Sequence, residues 1–83
     1  MTQIAKLFEA VLANPRSTLS FRDFVRLLEA FGFTQVRQSG SHQVFAHPQV
    51  PRPLIVQPRR NEAKLYQVRE FLDMVEEYQL VIE

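Results

Sequence analysis

Three features of the sequence predict an α+β fold. Two apolar stripes with helical spacing fill the first 31 residues, short runs rich in Val, Phe and Thr follow, and another helical stripe closes the chain. The predicted order is a helix followed by an αβββα unit.

Ile4, Leu7, Phe8, Val11 and Leu12 follow the i, i+3, i+4, i+7, i+8 spacing of an amphipathic helix. Thr2 is its expected cap, and Asn14-Pro15 its expected stop. RSTLS (16–20) reads as a polar linker. Ser20 then caps a second stripe of Phe21, Phe24, Val25, Leu28 and Phe31. Asp23, three residues after Ser20, resembles the partner of a capping box, although Glu or Gln is usual there. Gly32 stands where a left-handed helix end is expected.

From Phe33 the period changes. Residues 33–38 and 42–46 read as strands joined at Ser39-Gly40-Ser41, a β-hairpin. HPQVPRP (47–53) holds three prolines in seven residues, so it is expected to run outside the ladder. Leu54, Ile55 and Val56 make a third short strand ending before Pro58. RRN (59–61) leads to the last helix, with Asn61 as expected cap and a stripe of Leu65, Val68, Leu72 and Val75 widened by Phe71 and Tyr78. Residues 42–47 leave one choice open. Phe45 in the core points His42 to the open sheet face, whereas Val44 in the core puts His42 at the margin of the helix-covered side.

An 83-residue chain is expected to be one small domain, close to the lower size limit for a core without staples. Such a core offers only a shallow site, which suits a large, exposed substrate or partner. Without cysteine there are no disulfides or thiolate metal sites, and no apolar run approaches the ~20 residues of a membrane span. A soluble cytoplasmic domain is the expectation.

A net charge of +1 conceals an uneven distribution. Residues 35–64 carry Arg37, Arg52, Arg59, Arg60 and Lys64 against Glu62, a net +4. Residues 65–83 carry Arg69 against Glu70, Asp73, Glu76, Glu77 and Glu83, a net −4. A basic segment of this kind is either a solvated face or a site for phosphates or an acidic partner.

Both histidines, His42 and His47, fall in that segment. Five apart on a strand, they lie on opposite faces with no cysteine nearby, so no metal site is expected. Gly40 stands alone, without the further glycines of a phosphate loop, and Ser41 beside His42 is not a triad. A histidine at a turn among arginines and a lysine suits RNA cleavage. Imidazole titrates near neutrality and can exchange a proton with a ribose 2′-hydroxyl or a leaving oxygen, and nearby cations stabilise charge developing on phosphate. The competing role is a histidine that only hydrogen-bonds its turn.

The segments FRDFVRLLEAFGF and RQSGSHQVFAHP, then a strand ending at a proline and a helix, together resemble the HicA toxins. These are small mRNA interferases of bacterial type II toxin–antitoxin systems. The resemblance spans roughly residues 20–80 and rests on the L-x-x-x-G-F-like helix end from Leu28 to Phe33, on Arg37, and on Gly40-Ser41-His42. It implies a double-stranded-RNA-binding-domain-like αβββα fold, with helices on one face of a three-stranded antiparallel sheet. Residues 1–14 then form an additional helix on a single domain spanning 1–83.

The resemblance also carries the essential histidine to His42 and the turn glycine to Gly40, supported by Ser41. It implies metal-independent mRNA cleavage without a cofactor, with His42 as general acid or base. Arg37, Arg59, Arg60 and Lys64 are the expected phosphate binders, and Tyr66 is either a base-stacking residue or an ordinary helix residue. Where several family members have a second histidine, this chain reads Pro58-Arg59-Arg60: either Arg59 or Arg60 takes its place as phosphate binder, or the chain belongs to a divergent subgroup. His47 is read as structural. The implied partners are an RNA substrate and a HicB-like antitoxin that occludes His42, a higher-order toxin–antitoxin complex being open. Two alternatives remain: a non-catalytic RNA-binding module of the same fold, and a protein-interaction domain meeting an acidic partner.

Overall fold

A computed structural model describes residues 3–83. Its elements are α1 (Gln3–Ala13), α2 (Phe21–Ala30), β1 (Thr34–Ser39), β2 (His42–His47), β3 (Val50–Val56), β4 (Pro58–Arg59), β5 (Glu62–Ala63) and α3 (Leu65–Tyr78). β1, β2 and β3 form an antiparallel sheet with β2 in the centre, while β4 and β5 form a separate two-residue hairpin. The αβββα unit preceded by α1 is therefore present. Thr2, the expected cap of α1, lies outside the described residues.

The helix boundaries follow local chemistry. Ser20 caps α2 by accepting the Asp23 N–H at 3.1 Å. At the other end Gly32 is left-handed (φ 94°), the Gly32 N–H bonds the Glu29 carbonyl, and the Phe33 N–H bonds the Leu28 carbonyl. This pairing is a Schellman motif, and it places Phe33 in the core.

Phe71 of α3 is fully buried at the centre of an aromatic cluster, with ring centroids 5.4 Å from Phe31, 5.8 Å from Phe24, 6.1 Å from Phe33 and 6.4 Å from Phe8. Phe8 joins α1 to the main body, also packing 4.8 Å from Phe31. Burying an aromatic side chain at this depth stabilises a domain by about 3–5 kcal/mol, a large share of the stability of a chain this short. In the two outer helices most of the expected stripe packs in or against the core, with departures at single positions. Leu12 is 52% exposed, and α3 turns Gln67, Val68, Phe71 and Met74 inward while Leu65 is exposed.

Three expectations are corrected in the middle of the chain. β3 begins at Val50, not Leu54, and takes Pro51 and Pro53 into the strand. His47 faces Val50 and Phe45 faces Leu54, so Pro51, Arg52 and Pro53 all stand against Ala46 in a bulge. An edge strand tolerates prolines there because a bulge needs fewer ladder N–H groups. Asn61 is not the cap of α3; Lys64 occupies that position, without a side-chain capping bond. Arg60 and Asn61 (φ 52° and 66°) instead form the two-residue loop of the β4–β5 hairpin, with the positive angles of a type I′ turn. Finally, the 16–20 linker is not merely polar spacer. Leu19 is buried, its carbonyl accepts the Ala63 N–H, and Ser20 bridges to Glu62, fastening the hairpin to the start of α2.

Candidate functional site

The face of each β2 side chain is now defined. Phe45 and His47 are buried with Leu54, Val56 and Val50, so the helices cover this face. His42, Val44 and Ala46 point to the other side, and His42 is exposed on the open face. Gly40, at φ 59° with open space around its Cα, forms the turn that places His42 first in the strand.

A bulge controls what His42 meets. Gln35 lies opposite Phe45, but Arg37 lies opposite Val44, so β1 has one extra residue at Val36. In a regular ladder Val36 would oppose Val44, and Arg37 would oppose Gln43 on the helix-covered side. The bulge turns it to the open face, where Ser39 is the direct partner of His42 and Arg37 its diagonal neighbour.

On the other flank of His42, a chain of hydrogen bonds links the turn to α3. Lys64 Nζ donates to Gln57 Oε1 at 2.9 Å, and Gln57 Nε2 donates to Ser41 Oγ at 2.9 Å. Because an ammonium group only donates, it determines the orientation of the Gln57 amide. The Gln57 N–H in turn donates to Oε1 of the buried Gln67 at 3.0 Å, and Gln67 Nε2 reaches the Tyr66 hydroxyl at 3.3 Å. Gln57 and Gln67 were not among the expected site residues. Gln67 had a readable signal, since it precedes Phe71 and Met74 by four and seven residues and so shares their face. Gln57 had none.

Beyond Lys64, an open groove of about 570 Å³ is lined by Arg59, Arg60, Glu62, Ala63, Lys64, Leu65 and Tyr66. The structure thus gathers three of the four expected phosphate-binding residues, with one carboxylate among them, and joins Lys64 to Ser41. Arg37 stands apart from them on the open sheet face. Arg52 is drawn away from this region: its guanidinium pairs with Glu70 of α3 at 2.7 Å. Tyr66 is 64% exposed, so its ring is a surface feature.

The two histidines differ in every respect. His47 is 6% exposed, and its ring lies 5.0 Å from that of Phe33. Nδ1 accepts the Gln49 N–H at 3.0 Å, which leaves Nε2 to carry the proton and donate to the Phe31 carbonyl at 2.8 Å. Both nitrogens are occupied in holding the β2–β3 turn against the end of α2. The ring of His42, in contrast, forms no hydrogen bond with any described residue and is available to a ligand.

The fold and this arrangement define a small α+β protein with an exposed histidine beside a cationic groove. Residues 21–75 match the family model described as the HicA toxin of bacterial toxin–antitoxin systems. The chain belongs to this family of toxins, and membership implies a toxin–antitoxin partner. No curated protein and no solved structure matches the chain. The matched segment runs from α2 into α3, and α1 lies before it. Among the described residues, no helix is long and apolar enough to cross a membrane.

Proposed function

We propose that this toxin is an mRNA endonuclease in which His42 performs the proton transfer. His42 takes the proton of a ribose 2′-hydroxyl, and the 2′-oxygen attacks the adjacent phosphorus. The bond from phosphorus to the 5′-oxygen then breaks, leaving a 2′,3′-cyclic phosphate on one fragment. The proton held by His42 passes to the departing oxygen, so the other fragment ends in a 5′-hydroxyl and the histidine returns to its starting form. The nucleophile belongs to the substrate, so neither a metal nor a cofactor enters this scheme.

The observation that carries this reading is the state of His42. It is exposed on the open face and its ring makes no hydrogen bond to a described residue, while its neighbours Ser41, Gln57 and Lys64 are tied together. Arg37 on one side and Lys64, Arg59 and Arg60 on the other are the groups suited to hold the phosphate, whose charge rises in the transition state. Gly40 and Ser41 act as the support of His42. RNA is available in the cytoplasm, where we place the activity.

The antitoxin fits the open sheet face. Val36 (59% exposed) and Ile55 (48%) flank the half-buried Val44 there, and Arg37 and His42 share the face. A HicB-type antitoxin with an apolar contact and acidic residues would cover both histidine and arginine. The test is incubation of purified toxin with mRNA in excess chelator, with and without antitoxin. Fragments ending in cyclic phosphate, absent with His42→Ala and suppressed by antitoxin, are expected. Cleavage that needs added metal, or that His42→Ala retains, would refute the scheme.

A further inference from the structure

A second cationic groove continues the first. It is lined by Pro15, Arg16, Leu65 and Arg69, and Leu65 is shared with the groove of Arg59, Arg60, Lys64 and Tyr66. Its two arginines come from different parts of the chain, the α1–α2 connection and the exposed side of α3. No carboxylate lines this groove, and neither arginine pairs with a described acid.

Arg16 is not on a loose arm. The Ser17 N–H and the Ser17 hydroxyl both donate to the Asn14 carbonyl, at 3.1 and 3.0 Å. This closes a four-residue turn with Pro15 at its second position, where the ring restricts the backbone in advance, and Arg16 at its third. The turn directly follows α1, so Arg16 lies in the segment that joins the additional helix to α2. Arg69 stands one helical turn from Leu65 on the same side of α3. Leu65, which lines both grooves, and Tyr66, which lines the first, are both exposed and give the path an apolar floor.

We propose that Arg16 and Arg69 form a second phosphate subsite, which binds the backbone of the single-stranded RNA as it leaves the cleavage site. The strand passes His42, then Lys64 with Arg59 and Arg60, lays a base on Tyr66, and reaches Arg16 and Arg69. Alternating cations and an exposed aromatic ring are what a single strand requires, because phosphates repeat along it and every base has a stacking face. The subsite carries no base-reading group, so it extends the footprint without adding sequence preference. This proposal rests on the nuclease reading for its direction, but the subsite itself is a matter of binding.

The experiment compares the unmutated toxin with the double variant Arg16→Glu, Arg69→Glu on RNAs of about 4 and about 15 nucleotides, a range typical of single-strand sites. Both arginines are exposed, and an unchanged melting curve checks that the variant folds. For the long RNA the variant should raise KM about tenfold at unchanged kcat, and lower the salt slope of binding by about 1.4, or about 0.7 for each lost phosphate contact. The short RNA should be cut equally by both, and Arg16→Lys, Arg69→Lys should restore the long-RNA values. Equal KM and salt slope on the long RNA would overturn the subsite, as would a variant that loses antitoxin affinity alone. If the unmutated toxin cuts neither RNA, the nuclease reading fails; the salt slope of binding then decides the subsite by itself.

Discussion

His42 and His47 stand five residues apart on one strand, and nearly everything that decides their roles differs. The opposite faces follow from the odd spacing. His47 is enclosed by Phe33, the end of α2 and the β2–β3 turn, with a backbone partner on each nitrogen. Such a ring has no lone pair or proton left for a substrate. His42 has both ring nitrogens free of described partners, and the Ser41 before it is linked through Gln57 to Lys64 of the cationic groove. Residue type alone therefore does not identify a proton-transfer group; what matters is whether the fold has already used the ring.

The first way to break this comparison is to remove His42. His42→Ala should lower cleavage about 10²–10⁴-fold, the usual contribution of a positioned proton-transfer group, while leaving the melting temperature unchanged. Removing His47 should do the reverse. His47→Ala is expected to cost about 2–4 kcal/mol in urea unfolding, because it opens a void and leaves the Phe31 carbonyl and Gln49 N–H unpaired. Measured per folded molecule, its cleavage rate should stay near the unmutated value. If the two variants exchanged these phenotypes, the assignment would be reversed.

Smaller changes sharpen the comparison. Gln57→Ala cuts the link from Lys64 to Ser41, and is expected to lower cleavage about tenfold, in line with the loss of one hydrogen bond to a charged group. A larger loss in KM than in kcat would show that the link acts through phosphate binding. Gly40→Ala meets no neighbouring atom, so its effect should be backbone strain alone: about 1 kcal/mol in thermal unfolding, reduced in Gly40→Asn.

Much of this architecture was legible in the residues. The stripes of α1 and α2, the Ser20 cap, the end at Gly32 and the hairpin turn at Gly40 each have a local cause that a short window contains. The unread parts depended on distant partners. Pro51 and Pro53 argue against a ladder, and only the bulge opposite Ala46 shows how the strand accepts them. β4 and β5 are too short to show a period, and Asn61 served equally well as a cap or in a left-handed turn. The face of His42 depended on whether Phe45 or Val44 was core, and consecutive apolar residues from 44 to 46 left this open. For Arg37 the deciding feature was a single extra residue at Val36, which has no sequence signature.

The central claim is that the exposed histidine, and not the buried one, moves the proton. Single-turnover cleavage of one labelled RNA, saturated with toxin in chelator, tests it most directly. The unmutated protein and the folded fraction of His47→Ala should cut at similar rates, and His42→Ala should bind the RNA but cut it at least about a hundredfold more slowly. A His42→Ala protein that cuts at the unmutated rate would contradict the account.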